Sequence, residues 1–225
     1  MGEPATSRRG TRNRDMRENR LIDAALRCIS DLGLRDTTVQ DVAERAGMAV
    51  GSINQYFDSK EQLFMAALRA LSEEFEMTWH RRLEQAGADA AVRLRCFVEC
   101  YFEPAVCQRW KVAVWFAFWG EVKARPKYRA VCAGYDRKHD DALEALCRAL
   151  LRESAGHAQD AGKAAKIIAS VCHGLWLELL TGTDGLKRGE LAHLALATLA
   201  AVFPEHAAKL LPPREETTSS TGAAA

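Results

Sequence analysis

Asn54 and Gln55 are adjacent amides in the stretch GSINQYFDSK, residues 51–60. An amide side chain can bond adenine N6 and N7 together, the two-point contact that reads a base edge in the major groove. Groups suited to phosphate oxygens surround them: the Tyr56 phenol, the Lys60 ammonium and, at the start of the preceding segment, the Thr38 hydroxyl. Ser52 adds a further hydroxyl, and Val50 can meet a thymine methyl. Gly51 has no side chain to hold a duplex away. The plainer alternative for Asn54 and Gln55 is phosphate contact or solvation.

A second set of residues is aromatic. Trp115 and Trp119 stand at i and i+4 and so share a helix face, Phe118 lies beside them, and Trp176 comes from a later segment. Quaternary ammonium cations sit over such ring faces. Glu121 is the counter-charge expected at this site, with Glu99 and Asp136 as alternatives. The competing reading is that aromatics at helical spacing simply pack a core. A third set is Cys96 and Cys100, also at i and i+4. They could hold one metal ion or sense oxidants, with Cys107 or His139 in reach, although buried thiols are the commoner meaning of such a pair. Cys172 and His173 are adjacent, which turns their side chains about 100° apart on a helix and makes no dyad. Neither a Gly-rich phosphate loop nor a Ser-centred elbow occurs, so no enzyme and no cofactor are expected.

The elements that must place the first set are a pair of short helices over residues 38–57. Thr38 and Asp41 form a capping box, Val39, Val42, Ala43 and Ala46 fall at helical spacing, and Gly47 suits a left-handed helix end. A second helix is expected over residues 50–57, and Ser59 with Gln62 caps a third. Two helices across a tight turn with Gly are the helix-turn-helix geometry, whose second helix enters the major groove. An earlier helix over residues 15–31 should back them, giving a head with Leu26, Ile29, Val39, Val42, Ile53 and Phe57 as its core.

The rest of the 225-residue chain reads as further helices. Gly and Pro are sparse while Ala, Leu, Arg and Glu are common, which favours an all-α fold. The predicted organisation is a disordered basic arm (1–14), a helix-turn-helix domain (15–75), a helical ligand-binding and dimerisation domain (76–205) and a disordered tail (206–225). The arm is either a solvated tail or a segment that touches phosphates or the minor groove. Formal net charge is +1, so the charge that would hold DNA must be local, and Arg8, Arg9, Arg12, Arg14, Arg17 and Arg20 crowd the start. Seven cysteines without framework spacing, together with a polar start, point to a reducing cytoplasm. The apolar run 112–119 is too short to span a bilayer, so no membrane partner is expected.

The segment VAERAG, followed after three residues by G-x-I-x-x-YF-x-SK-x-x-LF, resembles the helix-turn-helix of the TetR family of bacterial repressors. Ala43, Ala46, Gly47, Gly51, Tyr56, Phe57, Ser59, Lys60 and Leu63 carry the likeness. Ala49, Val50 and Asn54 depart from the commonest pattern, which has a capping Ser, a Lys or Thr, and a Tyr there. The segments VWFAFWGEV (114–122) and GLWLELLTG (174–182) resemble the BetI-like subgroup of choline-responsive repressors. The resemblance implies a homodimer joined through the eighth and ninth helices, about residues 159–181 and 188–202. It also implies a near-palindromic double-stranded DNA operator and release by a small-molecule effector such as choline. The alternatives are a TetR-type regulator of another pathway, or a thiol- or metal-responsive one using Cys96 and Cys100.

Overall fold

The structure is a computed structural model that describes residues 5–153, 160–182 and 185–212, with side chains from Arg12 onward. Among these residues there is no strand. The helices are α1 (Ala5–Leu32), α2 (Val39–Ala46), α3 (Val50–Ile53), α4 (Lys60–Gln85), α5 (Ala90–Glu99), α6 (Arg109–Glu121), α7 (Pro126–Arg152), α8 (Ala161–Thr181), α9 (Arg188–Val202) and the short α10 (Ala207–Leu210).

Local chemistry explains most of their boundaries. Thr38 caps α2 in a reciprocal box: the Asp41 amide donates to Thr38 Oγ1 at 3.2 Å, and the Thr38 amide donates to Asp41 Oδ2 at 2.7 Å. Gly47 ends α2 at φ 62°, a backbone region open to glycine but strained for other residues. Ser59 caps α4, Asp89 caps α5 and Asp160 caps α8, each accepting from the first-turn amides. Pro126 opens α7, where its missing N–H costs nothing.

Three boundaries differ from expectation. The helix expected over residues 50–57 is α-helical only from Val50 to Ile53. Residues 54–57 continue as tight turns, with the Tyr56 and Phe57 amides both donating to Ile53 O at 2.9 Å. Ala49 offers no side-chain cap, so this short helix lacks an anchored start. α1 runs back to Ala5, through most of the segment expected as a disordered arm. Arg-rich sequence without proline is compatible with helix, so nothing local stops it at residue 15. At the other end, residues 206–211 are not tail. Leu210 is fully buried, Arg95 donates to Lys209 O at 3.0 Å, and Lys209 pairs with Asp89 at 2.6 Å, which seats α10 on α5. The expectation for residues 213–225 lies outside the described residues.

The head packs Leu21, Ala25, Leu26 and Ile29 of α1 against Val42, Ala43 and Ala46 of α2, Ile53 and Phe57, and Leu63, Phe64, Ala67 and Leu68 of α4. Val39, expected in that core, is only half-buried. The remaining helices form a bundle in which α8 lies against α6, α7 and α9. α8 is long and apolar enough, by length and composition, to cross a membrane, a test that the core helix of a helical bundle also passes. Here its Ile168, Cys172 and Trp176 are buried in the bundle, and Ile167 and Leu177 remain on its open side.

Candidate nucleic-acid interface and ligand cavity

The helix-turn-helix places the first set of residues on one end of the molecule. Val50, Gly51, Asn54 and Gln55 are exposed, and Ser52, Tyr56 and Lys60 are half-buried. A Cβ on Gly51 would meet nothing within 4 Å, so this surface is open right up to the backbone. Asn54 and Gln55 make no side-chain hydrogen bond among the described residues, which leaves both amides free for an external partner. Two expected phosphate contacts are already engaged. The Thr38 hydroxyl donates to Asp41 Oδ2 at 2.7 Å, and Lys60 Nζ donates to Arg35 O at 3.3 Å while lying over the Phe64 ring. Lys60 therefore joins the base of the head to the link between α1 and α2.

The second set gathers around a cavity of about 550 Å³ between α4, α6, α7 and α8. Trp115, Trp119 and Trp176 all line it. The Trp115 and Trp119 rings are 5.7 Å apart, and Trp176 is 6.4 Å from each, nearly parallel to Trp119. Trp176 is held there by its indole N–H, which donates to Tyr101 O at 2.9 Å. Phe75 from α4 and His173 from α8 extend the aromatic wall. Burial pushes the His173 imidazole down to about 4, so the ring is neutral near neutral pH.

Phe118 and Glu121 do not line this cavity, contrary to expectation. Phe118 points the other way and packs edge-on against Tyr128 at 5.3 Å. At i+3 from Trp115 it stands on the flank of the shared face, about 100° round the helix from Trp119, and the packing of α7 against that flank takes it away from the cavity. Glu121 sits at the end of α6, where Arg35 Nε meets it at 2.6 Å and Arg125 Nε at 3.2 Å. The Arg35 hydrogen bond, with help from Arg125, holds its carboxyl below the usual range. Glu99 is also committed, to Arg82 at 2.8 Å and Arg95 at 3.6 Å.

Asp136 is the remaining carboxylate of the three, and it lines the cavity. Among the described residues it has no hydrogen bond and no ion pair. Partial desolvation against the cavity wall raises its pKa and the neighbouring Asp140 carboxylate adds to the rise, while His139 and Lys166 oppose it and the residue stays exposed to solvent. The other charged groups of the wall are partnered. Glu76 pairs with Lys138 at 2.9 Å, and Asp140 with His139 at 3.3 Å and Lys166 at 3.9 Å. His139 also shares a 2.6 Å hydrogen bond with the buried Tyr101 hydroxyl. Sequence reasoning missed Phe75, Glu76, Trp79, His139 and Asp140. The only available signal was that Asp136, His139 and Asp140 share one face of α7 at i, i+3 and i+4.

The thiol reading finds little in this geometry. The Cys100 thiol donates to Cys96 O at 3.0 Å and is pushed by burial up to about 12, with Cys96 also raised. Both are protonated and poorly nucleophilic near neutral pH. His139 is occupied by Tyr101 and Asp140 instead of a shared ion. No group of three or more metal-ligating side chains occurs among the described residues.

Three side-chain contacts tie the cavity wall to the head, one of them Lys127 of α7 with Glu61 in the first turn of α4 at 2.6 Å. Arg27 of α1 lies 3.7 Å over the Trp110 ring of α6, and Glu121 at the far end of α6 holds Arg35. α4 belongs to both regions, since it begins beneath the recognition segment and lines the cavity with Ser72, Phe75, Glu76 and Trp79.

Comparison with known proteins agrees with this division. Residues 21–67 match the family model of bacterial regulatory proteins of the tetR type, and residues 90–204 match that of the BetI-type transcriptional repressor C-terminal domain. A relative from Burkholderia lata, described as HTH-type transcriptional regulator BetI, is 32% identical over 195 residues, covering 86% of this chain and 92% of the relative. A crystal structure of a Pseudomonas aeruginosa PAO1 protein superposes with a TM-score of 0.75 at 25% identity, covering 87% of this chain and 93% of that one. A Saccharomonospora viridis protein in complex with choline superposes with a TM-score of 0.70 at 23% identity, covering 81% and 94%.

Proposed function

The chain belongs to the TetR family of bacterial transcriptional regulators, with a BetI-type repressor C-terminal domain, and from that premise we propose that it is a cytoplasmic homodimeric repressor released from its operator by an organic cation. The effector is choline or a related quaternary ammonium compound. The observation that carries this reading is Asp136, a carboxylate without a hydrogen bond or ion pair among the described residues, in a cavity walled by Trp115, Trp119 and Trp176. A cation there gains a counter-charge and ring faces together, and a compound lacking positive charge gains neither. The choline bound to the Saccharomonospora viridis protein supports the same chemistry. A cavity of about 550 Å³ also admits cations larger than choline.

Dimerisation runs through α8 and α9, where the apolar Ile167, Leu177 and Leu194 are about half exposed. A two-fold dimer presents two recognition segments about one DNA turn apart, roughly 34 Å, so the operator is a near-palindrome. Asn54 and Gln55 read bases, with Val50 and Gly51 at the groove, and Ser52 and Tyr56 face phosphates, while Thr38 and Lys60 hold Asp41 and the Arg35 carbonyl instead.

The effector acts by binding the two states unequally. A cation drawing the α6 rings of Trp115 and Trp119 toward Trp176 of α8 and Asp136 of α7 shifts α6, and Glu121 at its end transmits that shift to Arg35, whose carbonyl holds Lys60. Glu121→Gln is expected to leave cation affinity unchanged while weakening by several-fold the effect of the cation on operator affinity. Titrating both ligands into the variant measures the coupling directly, and unchanged coupling would remove Glu121 from the route.

The function is tested by fluorescence anisotropy of the purified protein on its own upstream intergenic DNA, against a scrambled duplex, with choline and with larger quaternary ammonium ions. Specific binding released by one of these cations is the expected result. Specific binding indifferent to all of them would keep the regulator and discard the cationic effector.

A further inference from the structure

We propose that the N-terminal extension of α1 is a second DNA-backbone surface, which grips the phosphates flanking the half-site read by the recognition segment. The proposal rests on the DNA-binding reading above. α1 starts at Ala5, yet its first buried residue among those described is Leu21, so 16 residues, about 24 Å of helix, precede that core contact. The part with described side chains, residues 12–20, is polar on every side apart from the exposed Met16, and no residue in it is buried. A helix without an apolar face has no packing reason to project from a domain.

The charges on this projection are not neutralised by carboxylates. Arg12, Arg14, Arg17 and Arg20 form no ion pair among the described residues, although Asp15 and Glu18 lie within the same turns. Arginines elsewhere in the head are engaged: Arg45 with Asp31 at 2.6 Å, Arg35 with Glu121 at 2.6 Å, and Arg27 on the Trp110 ring. Four unpaired guanidiniums against two carboxylates leave the projection locally basic on a chain of nearly zero net charge.

The projection also lies alongside the helix-turn-helix. Arg14 Nη2 reaches Gln55 O at 3.4 Å, and its guanidinium sits 5.8 Å from the Tyr56 ring centre. The Arg20 guanidinium lies against the turn glycine, such that a Cβ on Gly47 would come within 3.0 Å of it. Arg14, Arg17 and Arg20 follow at i, i+3 and i+6, so they run about 9 Å along the helix beside the residues proposed to meet DNA. Guanidinium groups bind phosphate oxygens in two-point fashion, and such contacts strengthen binding without selecting sequence.

The test compares the full chain with the double variant Arg14→Gln and Arg17→Gln, measuring affinity for the intergenic duplex and for the scrambled duplex across a salt series. Both residues are exposed, so circular dichroism and thermal unfolding should be unchanged. The expected result is a shallower dependence of log affinity on log salt, by about 0.9 for each phosphate no longer gripped and so by up to about 3.6 if both residues act in both subunits. Both duplexes should weaken by a similar factor, leaving the preference between them intact. A variant with the parental slope and affinity would overturn the proposal while leaving the regulator in place. Weakening confined to the intergenic duplex would overturn it too, because the arginines would then be reading bases. A parent protein that binds neither duplex would overturn both this proposal and the function it rests on.

Discussion

Asp136→Asn is expected to lower affinity for quaternary ammonium ions by at least about tenfold, or about 1.4 kcal/mol, and to make the apo protein more stable at neutral pH. Both effects come from one cause. Asp136 lines the cavity with no partner among the described residues, and partial desolvation with the Asp140 charge raises its pKa. Its charged form is therefore mildly disfavoured in the empty protein, where solvent still reaches the carboxylate and keeps the cost small, and it becomes useful when a cation arrives. For a carboxyl whose folded pKa lies above its unfolded value, the folded state retains the proton longer. Folding is then penalised as pH rises past the unfolded value, with the full penalty above the folded one. The asparagine variant carries no such penalty, so its unfolding temperature should exceed that of the parent at neutral pH, with the difference shrinking as pH falls.

Cation affinity should run the opposite way with pH. In the parent it weakens as pH falls through the raised Asp136 pKa, because protonation removes the counter-charge. In the variant that component is absent. His173 stays neutral down to about pH 4, so it adds no positive charge over most of this window. Glu76, Lys138, Asp140 and Lys166 also face the cavity, but each is already paired across its wall. Isothermal titration with choline and a larger homologue, from neutral to mildly acidic pH, separates the outcomes. Equal affinity in parent and variant at neutral pH would show that Asp136 is not the counter-ion.

Trp176→Ala is expected to destabilise the protein by about 3–5 kcal/mol, the range for removing a large buried aromatic. Trp176 is fully buried, and its ring meets Phe75, Tyr101, Trp115 and Trp119. Its indole N–H also satisfies the Tyr101 carbonyl, and leaving that buried oxygen unpaired costs about 1–3 kcal/mol within the total. At about 2–4 °C per kcal/mol for a chain of this size, the unfolding midpoint should fall by roughly 10 °C. Trp119→Ala removes a half-buried ring with no side-chain hydrogen bond among the described residues and should cost far less stability while still weakening cation binding. The pair of variants thus distinguishes a ring that builds the cavity from one that chiefly serves the ligand. Thermal unfolding followed by circular dichroism decides the matter, and a midpoint for Trp176→Ala within about 2–3 °C of the parent would contradict this assignment.

Local interactions explain what could be read in advance. The capping box of Thr38 and Asp41, the left-handed Gly47 and the caps at Ser59 and Asp89 involve residues within a few positions of one another, so spacing alone announces them. The same holds for Trp115 and Trp119, whose shared face follows from the helical repeat. Ala49 also foretold a weak helix start, although not that regular α-helix would end at Ile53.

What could not be read depended on partners far along the chain. Glu99, Glu121 and Asp136 were all acidic residues near aromatic helices, and Glu121, nearest in sequence to Trp119, was the expected counter-charge. Arg82, 17 residues from Glu99, and Arg35, 86 residues from Glu121, neutralise two of them and leave the third facing the cavity. Likewise, composition placed Arg14 in a loose arm, whereas a contact across 41 residues sets it beside Gln55 and Tyr56. Helix periodicity and capping are encoded over one or two turns, so the helices, the head and the tryptophan face were legible residue by residue. Which carboxylate stays unpaired depends on how helices separated by tens of residues pack together, and a single chain's periodicity contains no information about that packing.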